Sequence, residues 1–154
     1  MVTLSMGIRH GFGLFNLPIT QANGWGRETF ALTIALQNLI WGAIQPVTGA
    51  LADRFGGFRI MLIGGVLYTL GLAGMALSTS ALSFTIAGGL LIGLAQTATT
   101  YSVIYGILGR NVPPEKRVWA MGVAAAAGSF GQFLMIPAEQ GLLSAFGVQD
   151  ALLL

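Results

Sequence analysis

Residues 49–59 read GALADRFGGFR, and they span the junction between two long apolar runs, residues 29–52 and residues 60–77. Neither run contains a charged residue, whereas the junction holds one acidic residue, two basic residues and three glycines. A helix that crosses a bilayer needs roughly 17–25 predominantly apolar residues. The stretch therefore predicts two transmembrane helices that are joined by a short polar turn.

The composition of the whole chain excludes a soluble globular domain. Of its 154 residues, 55% are hydrophobic and 8% are charged, whereas roughly 25% of the residues of a soluble domain are charged. A net charge of +2 is too small to indicate a nucleic-acid-binding surface. The chain has no cysteine, so it can form neither disulfide bonds nor a thiolate metal site. A membrane is the environment that this composition favours.

Charges and turn residues divide the chain into five predicted helices and the beginning of a sixth. The predicted helices cover about residues 2–20, 29–52, 59–77, 82–108 and 118–138, and residues 150–154 are expected to begin a truncated sixth helix. The fifth helix is expected to stop at Glu139, so that all five carboxylates lie in loops. The sequence thus predicts an all-α integral membrane protein with about five transmembrane helices.

The distribution of basic residues predicts the orientation. The loops over residues 53–59 and 109–117 lie on the same side of the predicted bundle and hold five of the seven lysines and arginines. Short loops that are rich in lysine and arginine stay on the cytoplasmic side of a membrane. We therefore expect a multi-pass protein of the cell membrane, either inner or plasma membrane, with these two loops in the cytoplasm.

The opening stretch also resembles a known family motif. Gly49, Asp53, Arg54, Gly56 and Arg59 fit the pattern G-x-L-A-D-R-x-G-x-[RK]-[RK], with one of its two final basic residues present. This pattern is the signature loop of the major facilitator superfamily. The resemblance implies a loop that latches the two halves of a carrier in one conformation. It also implies twelve helices in two six-helix halves, so this chain is expected to be a partial six-helix half, without the C-terminal half.

The fifth predicted helix is similar to one branch of that superfamily. Its beginning resembles the signature K-R-R-x-L-A-x-G-x-A-x-A-G-S-x-x-G of monocarboxylate transporters, and the matching residues are Lys116, Arg117, Gly122, Gly128, Ser129 and Gly131. The Gly-Ser pair comes one residue late, which rotates it by about 100° on a helix. Residues 7–15 resemble the first-helix pattern G-I-x-K-x-F-G-x-F of the same branch, with His10 at the position of the lysine.

Two ionisable residues lie within the predicted first helix, and such residues are costly in a bilayer and therefore suggest function. Arg9 suits a carboxylate because its charge is permanent and its guanidinium binds bidentately. His10 suits proton-coupled transport because it titrates near neutral pH. Their side chains point about 100° apart, so one of them is expected to face a cavity. Alternatively, both lie near the membrane edge and reach into water.

Polar and aromatic side chains on the predicted helices are further candidates for a substrate site. A polar group that is buried without a partner costs several kcal/mol, so each of them needs either another helix or a substrate. These candidates are Asn16, Gln37, Trp41, Gln96, Thr100 and Gln132.

These resemblances imply secondary active transport of a small solute by alternating access, with a monocarboxylate or a related organic anion as the expected substrate and protons as a candidate partner. No enzyme, metal site, cofactor or nucleic-acid partner is indicated. Drug export is disfavoured because the fifth helix lacks the G-P-x-x-G-G motif of drug antiporters. Two alternatives stay open: a truncated membrane fragment that transports nothing, and a carrier for a non-anionic solute.

Overall fold

The computed structural model describes residues 2–153, and every element within them is helical. The helices in chain order are α1 (Val2–Asn23), α2 (Arg27–Phe55), α3 (Gly57–Ala76), α4 (Ala81–Asn111) and α5 (Pro114–Leu153). Within the described residues, α2 to α5 are long and apolar enough to cross a membrane. The prediction of an all-α membrane fold is confirmed.

The turns between helices are shorter than predicted. In place of the predicted loop over residues 53–59, the single residue Gly56 separates α2 from α3. Its φ of 92° is a conformation that glycine adopts without strain. On the same side of the bundle, α4 and α5 are separated only by Val112 and Pro113. On the other side, Ser80 caps α4 because its hydroxyl accepts a hydrogen bond from the backbone N–H of Ser83 at 3.2 Å.

Helix α4 lies at the centre of the bundle and is not continuous. Of its most apolar 18 residues, 56% are buried, against 11–28% for the other three spans. The helix passes through a π-helical turn over Ile86–Leu91 and breaks at Thr100, where the backbone is extended with φ −95° and ψ −180°. It resumes over Tyr101–Asn111. The apolar run over residues 82–108 predicted the span but did not indicate the break.

Two predictions about the end of α5 and its carboxylate are wrong. The helix does not stop at Glu139; it continues to Leu153, with a kink at Gly147, where φ is 79°. Glu139 consequently lies inside a helix and is buried, so the prediction that every carboxylate lies in a loop is wrong. Beyond the kink, residues 148–153 turn back, and Leu152 lines a small cavity together with Phe12 of α1. That residues 150–154 begin a sixth helix stays a prediction, and Leu154 lies outside the described residues.

Close contacts between helices occur at glycines. A Cβ atom at Gly131 of α5 would overlap the backbone of Thr3 in α1. A Cβ atom at Gly93 of α4 would lie 3.0 Å from the backbone carbonyl oxygen of Gln37 in α2. Lipid gives helices no hydrophobic reason to associate, so small residues that permit close packing hold such bundles together.

Large apolar side chains cover the outside of the bundle. More than half of the surface of each of these side chains is exposed, as on Leu39, Phe58, Val66, Leu70, Val118, Trp119 and Phe133. A soluble protein rarely exposes so much contiguous apolar surface. The chain is therefore a multi-pass membrane protein whose outer surface suits lipid.

We expect Gly131→Ala to destabilise the contact between α1 and α5, and Gly122→Ala to leave it intact. Both glycines lie in α5, but a Cβ at Gly122 would meet open space. The clash at position 131 should cost about 1–3 kcal/mol, whereas alanine at position 122 should stabilise the helix by roughly 0.5–1 kcal/mol. Unfolding by detergent titration measures both changes. Equal stability of the two variants would contradict this packing.

Candidate functional site

Helices α1 and α2 meet at a half-buried arginine. Arg9 Nη2 donates a hydrogen bond to Asn38 Oδ1 at 2.8 Å, and Arg9 Cζ lies 4.1 Å from the centroid of the Trp41 ring. The second contact is a cation–π interaction, which is worth about 0.5–2 kcal/mol according to its exposure to water. Among the described residues, no carboxylate lies within ion-pair distance of Arg9. The arginine is held in place without being neutralised.

The same region of α2 contacts α4 at its break. Trp41 Nε1 donates to Thr100 Oγ1 at 3.4 Å, and Gln45 Nε2 lies 3.5 Å from the same oxygen. Gln45 Nε2 also donates to Ser102 Oγ at 2.5 Å. We call the six side chains on these three helices the polar cluster: Arg9, Asn38, Trp41, Gln45, Thr100 and Ser102.

The polar cluster is electropositive. The break at Thr100 makes Tyr101 the start of an 11-residue helix whose first turn has no side-chain cap. The first N–H groups of a helix have no partners within it and carry partial positive charge. Arg9 adds a permanent positive charge, and Asn38 and Ser102 are exposed, so the cluster is open to a ligand. Chemically, this arrangement favours a small anion.

His10 does not join the polar cluster. Its side chain is exposed, and its Nδ1 lies 2.8 Å from the backbone carbonyl oxygen of Met6, one turn earlier in the same helix. Because a carbonyl oxygen only accepts, this nitrogen carries the proton and donates. The structure therefore separates the two ionisable residues of α1: among the described residues, Arg9 hydrogen-bonds to another helix, whereas the hydrogen bond of His10 lies within α1.

The remaining polar candidates make no hydrogen bond to the polar cluster among the described residues. Gln37 and Gln96 are buried between helices, and the Gln37 Nε2 atom and both Gln96 amide atoms have no hydrogen-bond partner among the described residues. Asn16 and Gln132 are half-buried. Of the predicted site residues, the structure brings together Arg9, Trp41 and Thr100.

Sequence reasoning placed Gln45 in a polar stripe with Gln37 and Trp41 on the second predicted helix and Asn38 beside it, but it missed Ser102. Asn38 and Gln45 lie on the same predicted helix as Trp41, but nothing in the sequence showed that they contact Arg9 and Ser102. The signal available was spacing, because Gln45 follows Trp41 by four residues and shares its face of the helix. Ser102 gave no signal, since its place depends on the break in α4.

The residues that match the fifth-helix signature differ in their exposure. Gly128 and Gly131 are buried, whereas Gly122 and Ser129 are exposed. At the beginning of the helix, Lys116 is exposed and Arg117 Nε donates to the backbone oxygen of Val112 at 3.0 Å. The buried glycines contribute to packing, and none of these residues contacts the polar cluster.

The signature loop is tied to α4 by an ion pair. The guanidinium of Arg110, near the end of α4, contacts the carboxylate of Asp53 near the end of α2. Arg54 and Arg59 are exposed, and a Cβ at Gly49 would meet open space. The sequence indicated that Asp53 needs a basic partner. Arg110 lies in the other predicted cytoplasmic loop, on the same side of the bundle, and it is the partner that the structure shows.

The fold and the polar cluster define a class: a multi-pass membrane protein in which three helices meet around an uncompensated cation and a broken helix. A comparison with protein families specifies it further. The model of the Major Facilitator Superfamily matches residues 1–154. The chain belongs to the major facilitator superfamily.

Similar proteins in that superfamily include named carriers. Monocarboxylate transporter 11 of Mus musculus is 33% identical over 151 residues, which cover 98% of this chain and 33% of the mouse protein. Monocarboxylate transporter 13 of Bos taurus is 29% identical over 98% of this chain and 35% of its own length. Probable anion transporter 3, chloroplastic, of Oryza sativa is 29% identical over 86% of this chain and 25% of its own length. The chain thus spans about a third of the length of the first relatives, and no solved structure matches it.

The ion pair between Asp53 and Arg110 should contribute little to stability. Both side chains are largely exposed, at 65% and 45%, and exposed pairs contribute about 0–1 kcal/mol. We expect a double-mutant cycle of Asp53→Asn and Arg110→Gln to give a coupling free energy in that range, and high salt should reduce it.

Arg54 provides the matched control for this cycle, because it lies beside Asp53 but its guanidinium stacks on the Phe55 ring at 5.4 Å. Asp53→Asn combined with Arg54→Gln should be additive in unfolding free energy. A larger coupling for Arg54 than for Arg110 would show that the two helices are not joined as described.

Proposed function

We propose that this chain is part of a secondary transporter that moves a small organic anion, most simply a monocarboxylate, by alternating access. The observation that carries the proposal is Arg9, which is held by two helices, lacks a carboxylate partner and lies near the positive end of a broken helix. Such an arrangement lowers the energy of an anion at that place in the membrane.

Each member of the polar cluster has a proposed role. Arg9 binds the carboxylate with its two-pronged guanidinium. Asn38 and Trp41 hold that guanidinium through the hydrogen bond and the ring contact described above. Ser102 and the first N–H groups after Thr100 complete the site, as the ends of broken helices do in other transporters.

The comparisons support an anionic substrate without specifying it. The relatives in mouse, cattle and rice carry the words monocarboxylate or anion transporter in their names. A further relative, the methyl viologen resistance protein SmvA of Salmonella typhimurium, is 32% identical over 70% of this chain. Methyl viologen is a dication, which Arg9 would repel, so the polar cluster favours the anion.

The proposal extends to the rest of the carrier. The substrate site is completed by a C-terminal half, which packs against the open side of the polar cluster. The turns at residues 53–59 and 109–117 face the cytoplasm of a cell membrane, and Asp53 with Arg110 ties α2 to α4 there as part of the latch between two conformations. His10, exposed on α1, is proposed to lie outside the substrate site.

We expect Arg9→Gln in the full-length carrier to reduce uptake of radiolabelled lactate or pyruvate into proteoliposomes by about 10- to 100-fold. A hydrogen bond to a charged group contributes about 1.5–3 kcal/mol, and losing that much binding free energy corresponds to this reduction in uptake. Arg9→Lys keeps the charge but not the planar fork, so its uptake should be intermediate. His10→Gln is the matched control on the neighbouring position, and its uptake should stay near that of the unchanged protein.

Two outcomes would contradict the proposed site. Full activity of Arg9→Gln would remove Arg9 from it, and loss of activity in His10→Gln alone would place the anion on the other residue.

Uptake of methyl viologen but no monocarboxylate would favour a carrier for a non-anionic solute. If no solute moves even with the C-terminal half present, the alternative of a non-transporting membrane fragment is favoured.

A second expected result concerns Asn38. Asn38→Asp places a carboxylate 2.8 Å from the guanidinium in place of the amide oxygen, so it should neutralise Arg9 from within the protein. Uptake should fall about as far as in Arg9→Gln, whereas the stability of the bundle should be retained or raised because an ion pair replaces a hydrogen bond between a cation and a neutral amide. Asn38→Leu is the control without a charge. Unchanged uptake in Asn38→Asp would mean that the substrate does not use the positive charge of Arg9.

A further inference from the structure

Glu139 is a buried carboxyl group that the proposed substrate site does not use. It lies in α5, its residue surface is 5% exposed, and neither of its carboxylate oxygens has a hydrogen-bond partner among the described residues. Most buried polar atoms in proteins are hydrogen-bonded. A carboxyl group with both oxygens unpaired therefore calls for an explanation.

The side chains around the carboxyl group of Glu139 are mostly apolar. Its carboxyl group rests on Gly11 of α1, where a Cβ atom would overlap it. Beside it is a cavity of about 120 Å³. The other residues that line this cavity are apolar: Ile8, Phe12, Phe15, Leu72, Met135, Leu142, Ala151 and Leu152.

Among the residues that the structure describes, no cation lies within ion-pair distance of Glu139. On α1, Arg9 is engaged with Asn38 of α2, and His10 is exposed and bonded to its own helix. On α3, Tyr68 lies within electrostatic range of Glu139, and its hydroxyl donates to the backbone oxygen of Ser5 at 3.4 Å. On α4, the hydroxyl of Tyr101 donates to the backbone oxygen of Ala125, about four turns before Glu139 in α5. On α5 beyond the kink, Asp150 is exposed and lies against a different cavity.

The ionised form of Glu139 would therefore be a bare charge in an apolar interface. Burying an unpaired charge costs several kcal/mol, even after the protein relaxes. A neutral carboxylic acid avoids most of that cost, because it carries no net charge. We propose that Glu139 is a proton-binding residue, neutral in this conformation, that releases its proton when water reaches the interface between α1 and α5.

Helix α1 connects Glu139 with Arg9, the proposed anion-binding residue, because Glu139 contacts Gly11 of the same helix. Gly11 follows Arg9 by two residues, which turns it about 200° around α1 and raises it about 3 Å. Helix α1 thus carries the proposed anion-binding charge on one side and rests on the proton-binding carboxyl on the other. A movement of α1 alters both contacts. This coupling rests on the proposed transport function, whereas the protonation of Glu139 does not.

Carbodiimide labelling tests the proposal on the 154-residue chain itself. Dicyclohexylcarbodiimide is apolar and reacts with protonated carboxyl groups, and mass spectrometry of the labelled peptide locates the adduct. We expect the adduct on Glu139 near neutral pH in lipid, and its loss at alkaline pH. Glu115, exposed at the beginning of the same helix, is the matched control and should stay unlabelled. An unlabelled Glu139 in the unchanged, folded chain overturns the proposal, and this result requires no variant to fold.

Transport by the full-length carrier tests the coupling. Glu139→Gln imitates the protonated form and should abolish the acceleration of monocarboxylate uptake by a pH gradient while exchange of anion for anion continues. A variant that still responds to the gradient like the unchanged carrier overturns the coupling. If the unchanged carrier moves no anion at all, the proposed function fails, and the labelling result still decides whether Glu139 holds a proton.

Discussion

Hydrocarbon offers no hydrogen-bond partners, so each polar group of a transmembrane chain must find its partner within the protein. In α4, two hydroxyl groups meet this requirement: Thr97 accepts from Thr48 of α2 at 2.8 Å, and the hydroxyl oxygens of Thr99 and Ser5 of α1 lie 2.9 Å apart. The buried amide of Gln96 in the same helix has no partner among the described residues. At Thr100 the helix breaks, and such a break is tolerated only where protein or water covers it. The neighbouring helices supply polar groups at this break. Trp41 and Gln45 of α2 donate hydrogen bonds to Thr100, and Arg9 of α1 lies over the ring of Trp41.

Helix α1 differs from the other helices in what it carries. Each of the other four helices contains a stretch that is long and apolar enough to cross a membrane, whereas α1 holds Arg9 against α2 and presents Gly11 to the carboxyl of Glu139 in α5. Its packing combines these polar and close contacts with buried apolar side chains, among them Phe12, Phe15 and Ile19.

Much of this fold can be predicted from the sequence because the thickness of a bilayer dictates the length of each apolar run. The predicted bounds of α2, α3 and α4 lie within a few residues of the observed ones, and Gly56 has the positive φ that the turn requires. The break at Thr100 could not be predicted, since threonine is tolerated in helices and the break depends on neighbouring helices. The sequence predicts a loop at Glu139 because a carboxylate usually ends an apolar run, whereas the structure continues the helix through Glu139 and buries its side chain against Gly11. Similarly, Arg9 and His10 are adjacent in sequence, and the rotation of α1 in the bundle decides which of them reaches α2.

We propose that α1, α2 and α4 meet at a water-accessible, electropositive site that binds a carboxylate. This chain has no cysteine, so single cysteines at Ser102, in the polar cluster, and at Leu70, on the exposed face of α3, can be compared in the full-length carrier with its other cysteines replaced. A charged methanethiosulfonate reacts with thiolates in water and not with protonated thiols in lipid. The structure predicts that Ser102→Cys reacts, that a monocarboxylate slows this reaction, and that Leu70→Cys does not react. Equal reactivity at the two positions, or a reaction at Ser102→Cys that no anion slows, would contradict the claim.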